Sequence, residues 1–156
     1  MAIENATNVV IRVADDSTGS GTNMQTLAFS TSASLSMTTD LRDSTTKSSG
    51  GFQENLAGLK SFELSGDGFI DLSGNTITAT DPFDDSSASL KAVPKLWDLW
   101  AGGTKVDVVF GTGSAGSSAK TYSGEAFISS LSFEGGVEEN ATYSITLTGT
   151  GALSES

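Results

Sequence analysis

The sequence contains neither cysteine nor histidine. Their absence excludes disulfides, thiolate nucleophiles, imidazole bases and the common cysteine–histidine zinc sites. A chain of 156 residues suits one domain, and such a domain buries roughly 70% of the surface that its unfolded form exposes, so no cross-link is needed. We therefore predict a single domain over residues 1–156 and no metal or other cofactor.

Long apolar runs and basic residues are also scarce. The apolar runs are short and the N-terminal segment lacks the basic patch and apolar stretch of a secretory signal, so we expect no membrane contact. Eight basic residues stand against 19 acidic ones, which gives a net charge of −11. This charge disfavours nucleic-acid binding, and its ordinary explanation is solubility.

Glycine, serine and threonine are abundant, proline occurs twice, and apolar residues alternate with polar ones. This pattern is typical of long antiparallel strands with Gly-rich turns. We predict strands over 8–14, 25–38, 59–72, 105–110, 120–134 and 141–153. Pro94 and Gly102 delimit one helix, over 93–101. The predicted fold class is mainly β, an antiparallel β-sandwich or partial barrel with one flanking α-helix.

The candidate core consists of the apolar residues of these elements. They alternate with polar residues in the strands and share one face in the helix. Trp97 and Trp100 could form a platform for a sugar, but their position beside leucines favours packing of the helix against the sheet. The predicted core is Leu27, Phe29, Leu35, Phe62, Leu64, Leu96, Trp97, Leu99, Trp100, Phe127, Leu131, Phe133, Tyr143, Ile145 and Leu147.

The other side of the four long strands is almost wholly serine and threonine, with three carboxylates and no lysine or arginine. A solvated sheet face ordinarily mixes long side chains of both charges. One interpretation is an exposed face that drifted toward small hydroxyl residues. Another is a wall past which a polyanion slides, because each missing cation removes a phosphate contact. These residues are Ser30, Ser32, Ser34, Ser36, Glu63, Ser65, Asp67, Ser130, Ser132, Glu134, Ser144, Thr146 and Thr148.

Two segments carry distinctive motifs. Residues 32–71, SASLSMTTDLRDSTTKSSGGFQENLAGLKSFELSGDGFID, contain Gly-Gly-Phe and Leu-x-Gly-Leu before a Ser-Gly-x-Gly strand. In residues 122–153, Gly-Glu-x-Phe-Ile-Ser-Ser-Leu precedes Gly-Gly-Val-Glu and a closing Gly-Thr-Gly. In these motifs, and over most of its length, the chain resembles the major tail protein (tail tube protein) family of siphovirus-type phages and gene transfer agents.

The resemblance implies the tail-tube fold and self-assembly. In that family six subunits form a ring, four strands of each line a barrel, and the stacked rings conduct double-stranded DNA. The hydroxyl-rich side would then line the lumen of a smooth acidic channel, through which DNA passes without specific binding. The implied location is the virion tail, after assembly in the host cytoplasm, with tape measure, tail terminator and tip proteins as further partners.

Residues 39–58 form a long polar stretch without periodicity, which predicts a loop that is functional or that folds onto a partner. The resemblance implies an arm that reaches the next ring; a mobile surface loop is the alternative. The candidate inter-ring or inter-subunit residues are Asp40, Arg42, Asp43, Lys47, Phe52, Glu54, Leu56 and Leu59.

The sequence offers no catalytic constellation. A serine nucleophile would lack a histidine base, and Glu63, Asp67 and Glu134 lie among hydroxyl groups, with no apolar pocket that would raise a pKa. We therefore predict a structural protein and not an enzyme. Two alternatives stay open: the inner tube subunit of a contractile or secretion-type injection machine, and a β-sandwich module that binds glycans or a host surface.

Overall fold

A computed structural model describes residues 9–16, 24–74, 76–81, 86–112 and 120–155. Within these ranges, the structure has nine strands and one α-helix, and the predicted fold class is confirmed. The elements are β1 (Val9–Val13), β2 (Gln25–Thr26), β3 (Ser30–Asp43), β4 (Asn55–Phe69), β5 (Thr76–Asp81), β6 (Ser86–Lys91), α1 (Val93–Ala101), β7 (Val106–Thr112), β8 (Thr121–Glu134) and β9 (Thr142–Glu155).

Seven strands form one antiparallel sheet in the order β2-β1-β7-β8-β9-β4-β3, and β5 pairs with β6. The sheet curls so that its two ends approach each other. A Cβ built on Gly66 of β4 would lie 3.3 Å from Cδ1 of Ile11 in β1. The Tyr143 hydroxyl of β9 donates to the Ala28 carbonyl at 2.9 Å, which ties the chain after β2 to the middle of the sheet. The result is a partial barrel.

The core lies between the inner face of this curled sheet and α1. Leu35 and Leu131 are partly buried and pack against it. Two half-buried glycines on neighbouring strands, Gly124 and Gly149, leave room for the ring of Phe62. Of the predicted core, the structure buries Leu27, Phe62, Leu64, Leu96, Leu99, Tyr143, Ile145 and Leu147.

The helix begins with Pro94 in its first turn and ends at Gly102, as predicted. Its buried residues are Val93, Leu96 and Leu99, which recur at a spacing of three and form a narrow stripe. Trp97 and Trp100 flank that stripe and are 51% and 49% exposed. Their prediction as core residues was therefore wrong, because a helix of 9 residues buries only the one stripe that faces the sheet.

The predicted strand over 25–38 is interrupted. Leu27 leaves β2 to bridge to Lys91, and a turn follows before β3 begins. Phe29 lies in this turn with a positive φ of 49° and is 43% exposed. Its carbonyl accepts a hydrogen bond from the Phe69 N–H at 3.1 Å. The change of direction turns the Phe29 side chain outward, so its prediction as a core residue was wrong.

A bulge in β8 displaces another predicted core residue. Ile128 pairs with Leu147 and Ser130 with Thr146, so one extra residue lies between them and the inward-facing positions shift from even to odd numbers. Phe127 consequently points to the outer face and is 42% exposed. Phe133 pairs with Tyr143 on the inner side but lies next to the strand end, where it is 50% exposed. Neither belongs to the buried core.

Candidate functional site

The hydroxyl-rich residues come together on one outer face of β3, β4, β9 and β8. Directly opposite residues of a ladder point to the same side of a sheet. All of the predicted face residues except Ser30 fall on this outer face. The registers place them in transverse rows: Ser36, Glu63, Thr148 and Phe127; then Ser34, Ser65, Thr146 and Ser130; then Ser32, Asp67, Ser144 and Ser132; and finally Thr142 with Glu134.

Ser30 lies on the other side of the sheet. A register shift between Ser30 and Ser32 places Ser30 opposite Gly68. A Cβ on Gly68 would meet the ring of Tyr143 at 2.7 Å, so this position faces inward. The prediction that Ser30 shares the hydroxyl-rich face was therefore wrong, because the shift adds one residue to β3.

Hydrogen bonds link the side chains of neighbouring strands across this face. Asp67 accepts from the Ser144 hydroxyl at 2.6 Å and from the Ser32 hydroxyl at 3.0 Å, so its carboxylate is held between β9 and β3. The hydroxyls of Ser34 and Ser65 are hydrogen-bonded to each other at 2.5 Å. Hydroxyl donors engaged in this way are not directed at a passing solute. The side chains of this face are short, and hydrogen bonds connect those of β3, β4 and β9.

The charged side chains of this face are all carboxylates. Glu63, Asp67 and Glu134 are exposed, whereas residues 32–36, 63–69, 127–134 and 142–148 include no lysine or arginine on either side of the sheet. A face without guanidinium or ammonium groups lacks the charge-assisted hydrogen bonds with which arginine and lysine hold a phosphate. Among the described residues, no three acidic side chains group closely enough to hold a metal ion.

Two aromatic residues interrupt the hydroxyl-rich face, and neither was predicted to lie there. Phe127 ends one row, and Phe69 lies opposite Thr142 in another; they are 42% and 43% exposed. The signal for Phe127 was available in the sequence, because Ala126, Phe127 and Ile128 are consecutive apolar residues, which strict alternation does not allow.

Free strand edges border the face on both sides. β3 is the last strand of the sheet. β7 pairs with β8 only as far as Ala126, so within the described chain residues 127–134 have a strand partner on the β9 side alone. Because β3, β4, β9 and β8 alternate in direction, the two edges run antiparallel to each other. Such edges are templates for pairing with another chain.

β3 and β4 continue beyond the sheet as an arm, residues 39–60. β4 pairs with β9 only from Glu63 onward, whereas its first residue, Asn55, pairs with Asp43 of β3. β4 therefore runs eight residues past Glu63, about 27 Å at roughly 3.4 Å per residue. The prediction of an irregular loop over 39–58 was wrong at both ends, since only 44–54 lie outside the two strands.

Local hydrogen bonds close the tip of the arm. The Ser48 N–H donates to Thr46 Oγ1 at 3.3 Å and the Thr46 N–H donates to Ser49 Oγ at 3.0 Å, which caps a short 3-10 helix, Lys47–Ser49. Gly50 ends it with a φ of 64°. Hydrogen bonds from Thr45 hold the pKa of Asp43 below its usual value. The tip is thus ordered by its own residues.

The arm exposes apolar side chains on a two-stranded element. Leu41, Phe52, Leu56 and Leu59 are between 62% and 79% exposed. A hairpin of two strands is marginally stable in water by itself, and exposed apolar groups of this size indicate a contact surface. All the predicted contact residues lie exposed on this arm: Asp40, Arg42, Asp43, Lys47, Phe52, Glu54, Leu56 and Leu59.

A groove opens where β4 separates from β9, at the base of the arm. Its volume is about 500 Å³, and its lining includes Met37, Lys60, Phe62, Tyr122, Leu153 and Glu155. Residues 151–153 bulge out of the β8–β9 ladder beside it, and Gly151 has a φ of 79°. The groove was not predicted from the sequence.

Over the described ranges, the structure holds no helix long and apolar enough to cross a membrane. The sequence matches the model of a family described as "Phage tail tube protein" over residues 4–155. A search of curated proteins gives no match.

Three solved structures are similar to this chain. The tail of an empty gene transfer agent (GTA) particle, refined with C6 symmetry, has a TM-score of 0.74 at 23% identity, with 99% of each chain covered. A native GTA virion gives 0.73 at 18% identity, also with 99% of each chain covered. The SPP1 tail tube gives 0.69 at 12% identity, over 98% of this chain and 78% of that one. These similarities establish the fold.

Proposed function

The chain belongs to the phage tail tube protein family, and we propose that six copies form a ring whose hydroxyl-rich face lines a channel for double-stranded DNA. The observation that carries this proposal is the face itself: hydroxyls and carboxylates on four adjacent strands, no cation among them, and a free edge on each side. The C6 symmetry of the similar GTA tail supports the number six. The protein is a structural subunit of the tail, and we infer that it has no catalytic role.

Ring closure follows from the two free edges. β3 of one copy pairs with residues 127–134 in β8 of the next copy, and the opposite directions of these strands make that pairing antiparallel. Six copies that each contribute four strands give a barrel of 6 × 4 = 24 strands. A closed barrel also removes the edges that would otherwise promote uncontrolled association.

The wall is suited to a polyanion that must not adhere. Neutralising phosphates with lysine or arginine releases counterions, and this release supplies most nonspecific affinity for DNA. The proposed lumen offers no such groups. Its carboxylates repel DNA only weakly at a distance, because physiological salt screens charge beyond about 8 Å. DNA would therefore pass close to the wall without being held by it.

The arm extends the proposal from one ring to a tube. Its apolar residues lose water when they pack against an adjacent ring, and its marginal two-stranded structure gains a partner. Following the family resemblance, assembly takes place in the host cytoplasm with a tape measure protein, and terminator and tip proteins cap the tube. These last partners rest on the resemblance alone.

A lysine substitution in the proposed lumen tests the channel. The triple variant Ser34→Lys, Ser132→Lys, Thr146→Lys adds 3 × 6 = 18 cations per ring if six copies are present. We expect tubes of normal appearance by negative-stain microscopy and at least a tenfold loss of DNA delivery by assembled particles, because phosphates would be gripped.

The matched control places three lysines at exposed hydroxyl positions outside the face, Ser73, Thr78 and Ser89. This control should deliver DNA as the wild type does. Normal DNA delivery by the triple lysine variant would show that its three positions do not line the channel. Purified wild-type protein that forms neither rings nor tubes at high concentration would refute the assembly itself.

A further inference from the structure

The two ends of the hydroxyl-rich sheet carry different charges. At the end that we call the turn end, residues 134–141 connect β8 to β9 and expose Glu134, Glu138 and Glu139. From residue 121 to 156 the sequence contains no lysine or arginine. The opposite end, the arm end, exposes Arg42, Lys47 and Lys60 together with three carboxylates of the arm. Of these two groups of residues, only the one at the arm end contains cations.

The groove at the base of the arm combines an apolar floor with one of these cations. Met37 is 64% exposed, and Phe62 and Leu153 line the same groove. The carboxylate in the lining, Glu155, is bound by Lys120 at 3.0 Å, and this hydrogen bond lowers the pKa of Glu155. Among the ion pairs of the described residues none involves Lys60. The groove therefore suits an apolar group that is accompanied by a carboxylate.

The turn end presents that combination. Val137 is 94% exposed at the tip of the β8–β9 turn, and Glu138 and Glu139 follow it directly. Glu138 has a positive φ of 64°, and the Glu139 N–H donates to the Gly136 carbonyl at 3.4 Å, so the turn is tight and projecting. An exposed valine at the tip of an acidic turn complements the apolar floor and Lys60.

We propose that the β8–β9 turn of one copy enters the arm-end groove of a copy in the adjacent ring, with Val137 against Met37 and Leu153 and Glu139 beside Lys60. This inference rests on the stacked rings proposed above and names a contact that joins them. Rings stacked with the same orientation always bring an arm end to a turn end. Reversed rings would bring two acidic turn ends together, which repel each other.

Single charge reversals test this contact. Glu139→Lys should still give six-fold rings, because ring closure uses β3 and β8 edges, but should raise the protein concentration needed for tubes at least tenfold. Each exposed ion pair is weak, yet six identical contacts change together in every ring. Lys60→Glu alone should have the same effect. The two substitutions in one chain restore the net charge of −11 and should restore tube formation.

The control is Asp98→Lys on the exposed side of α1, which changes the net charge by the same two units as Glu139→Lys. It should form tubes at the wild-type concentration. Sedimentation and negative-stain microscopy provide the readout. Tubes of Glu139→Lys or Lys60→Glu at the wild-type concentration, an equal defect in Asp98→Lys, or a double variant that stays unstacked would each overturn the inference. Absence of rings in the wild type would instead overturn the proposed function.

Discussion

Replacing Gly149 with alanine should destabilise the subunit by crowding Phe62. A Cβ on Gly149 would overlap three carbons of the Phe62 ring, including Cε2 at 2.5 Å. Favourable carbon–carbon contacts lie at about 3.5–4.0 Å, so the ring would have to move by about 1 Å. Gly124 limits that movement, because the ring already lies so close that a Cβ there would be 2.8 Å from Cζ.

The expected cost is about 2 kcal/mol, within the range of roughly 1–3 kcal/mol for overpacked cores. For a domain of this size, that loss lowers the Tm by about 4–8 °C. Phe62 is only 5% exposed, so the ring cannot escape to solvent without losing its burial. The double variant Phe62→Leu, Gly149→Ala should lose less stability than the sum of the two single variants, since the smaller side chain relieves the overlap.

Urea unfolding of the dilute subunit, followed by tryptophan fluorescence, measures this effect. The denaturation midpoint should fall while the slope stays constant. Gly135→Ala is the control, because its Cβ would meet only Ala141 at an ordinary 3.8 Å. It should change the stability by less than about 0.5 kcal/mol. Equal stability of Gly149→Ala and Gly135→Ala would refute the packing argument.

Two further substitutions probe buried polar groups. Tyr143→Phe leaves the Ala28 carbonyl without its hydroxyl donor, so urea unfolding should show a loss of about 1–2 kcal/mol; an unchanged midpoint would contradict the role of this bond. Burial also raises the pKa of Tyr143. The stability that the wild type gains over Tyr143→Phe should therefore be complete below pH 10.0, the pKa of the unfolded chain, and decline as the pH rises above it. Lys91 should show the opposite trend, because burial lowers its pKa. At a pH just below 10.5, the unfolded chain then binds more protons than the folded chain. The stability of the wild type relative to Lys91→Met should therefore increase as the pH rises toward 10.5. Parallel pH profiles of the wild type and Lys91→Met would exclude this effect.

The hydroxyl-rich face could be predicted because β4 and β9 have one buried side and one exposed side. Phe62 and Leu64 alternate with Glu63 and Ser65 in β4, and a period of two reports directly which side is buried. Where the chain departs from simple alternation, the prediction failed. In β8 one extra residue after Ile128 reverses the pattern, and its traces in the sequence are the consecutive apolar residues 126–128 and the consecutive serines at 129 and 130.

The arm was mistaken for a loop for a different reason. Periodicity arises from burial, and the paired residues of the arm, such as Leu41 and Ala57, are exposed in the subunit. In a strand that buries neither face, apolar and polar residues need not alternate. Such a strand therefore cannot be recognised from the pattern of one sequence. Phe29 illustrates a third limit, because a positive φ at a phenylalanine carries no sequence marker of the kind that glycine provides.

The opposite directions of β3 and β8 restrict how a tube of this kind can change its calibre. A subunit that gained or lost a single strand at the proposed barrel would present two parallel edges to its neighbours, and the antiparallel seam could no longer close. Width can therefore change only by whole hairpins or by the number of copies in the ring. An engineer who wants a broader pore from this scaffold should insert two strands at a time.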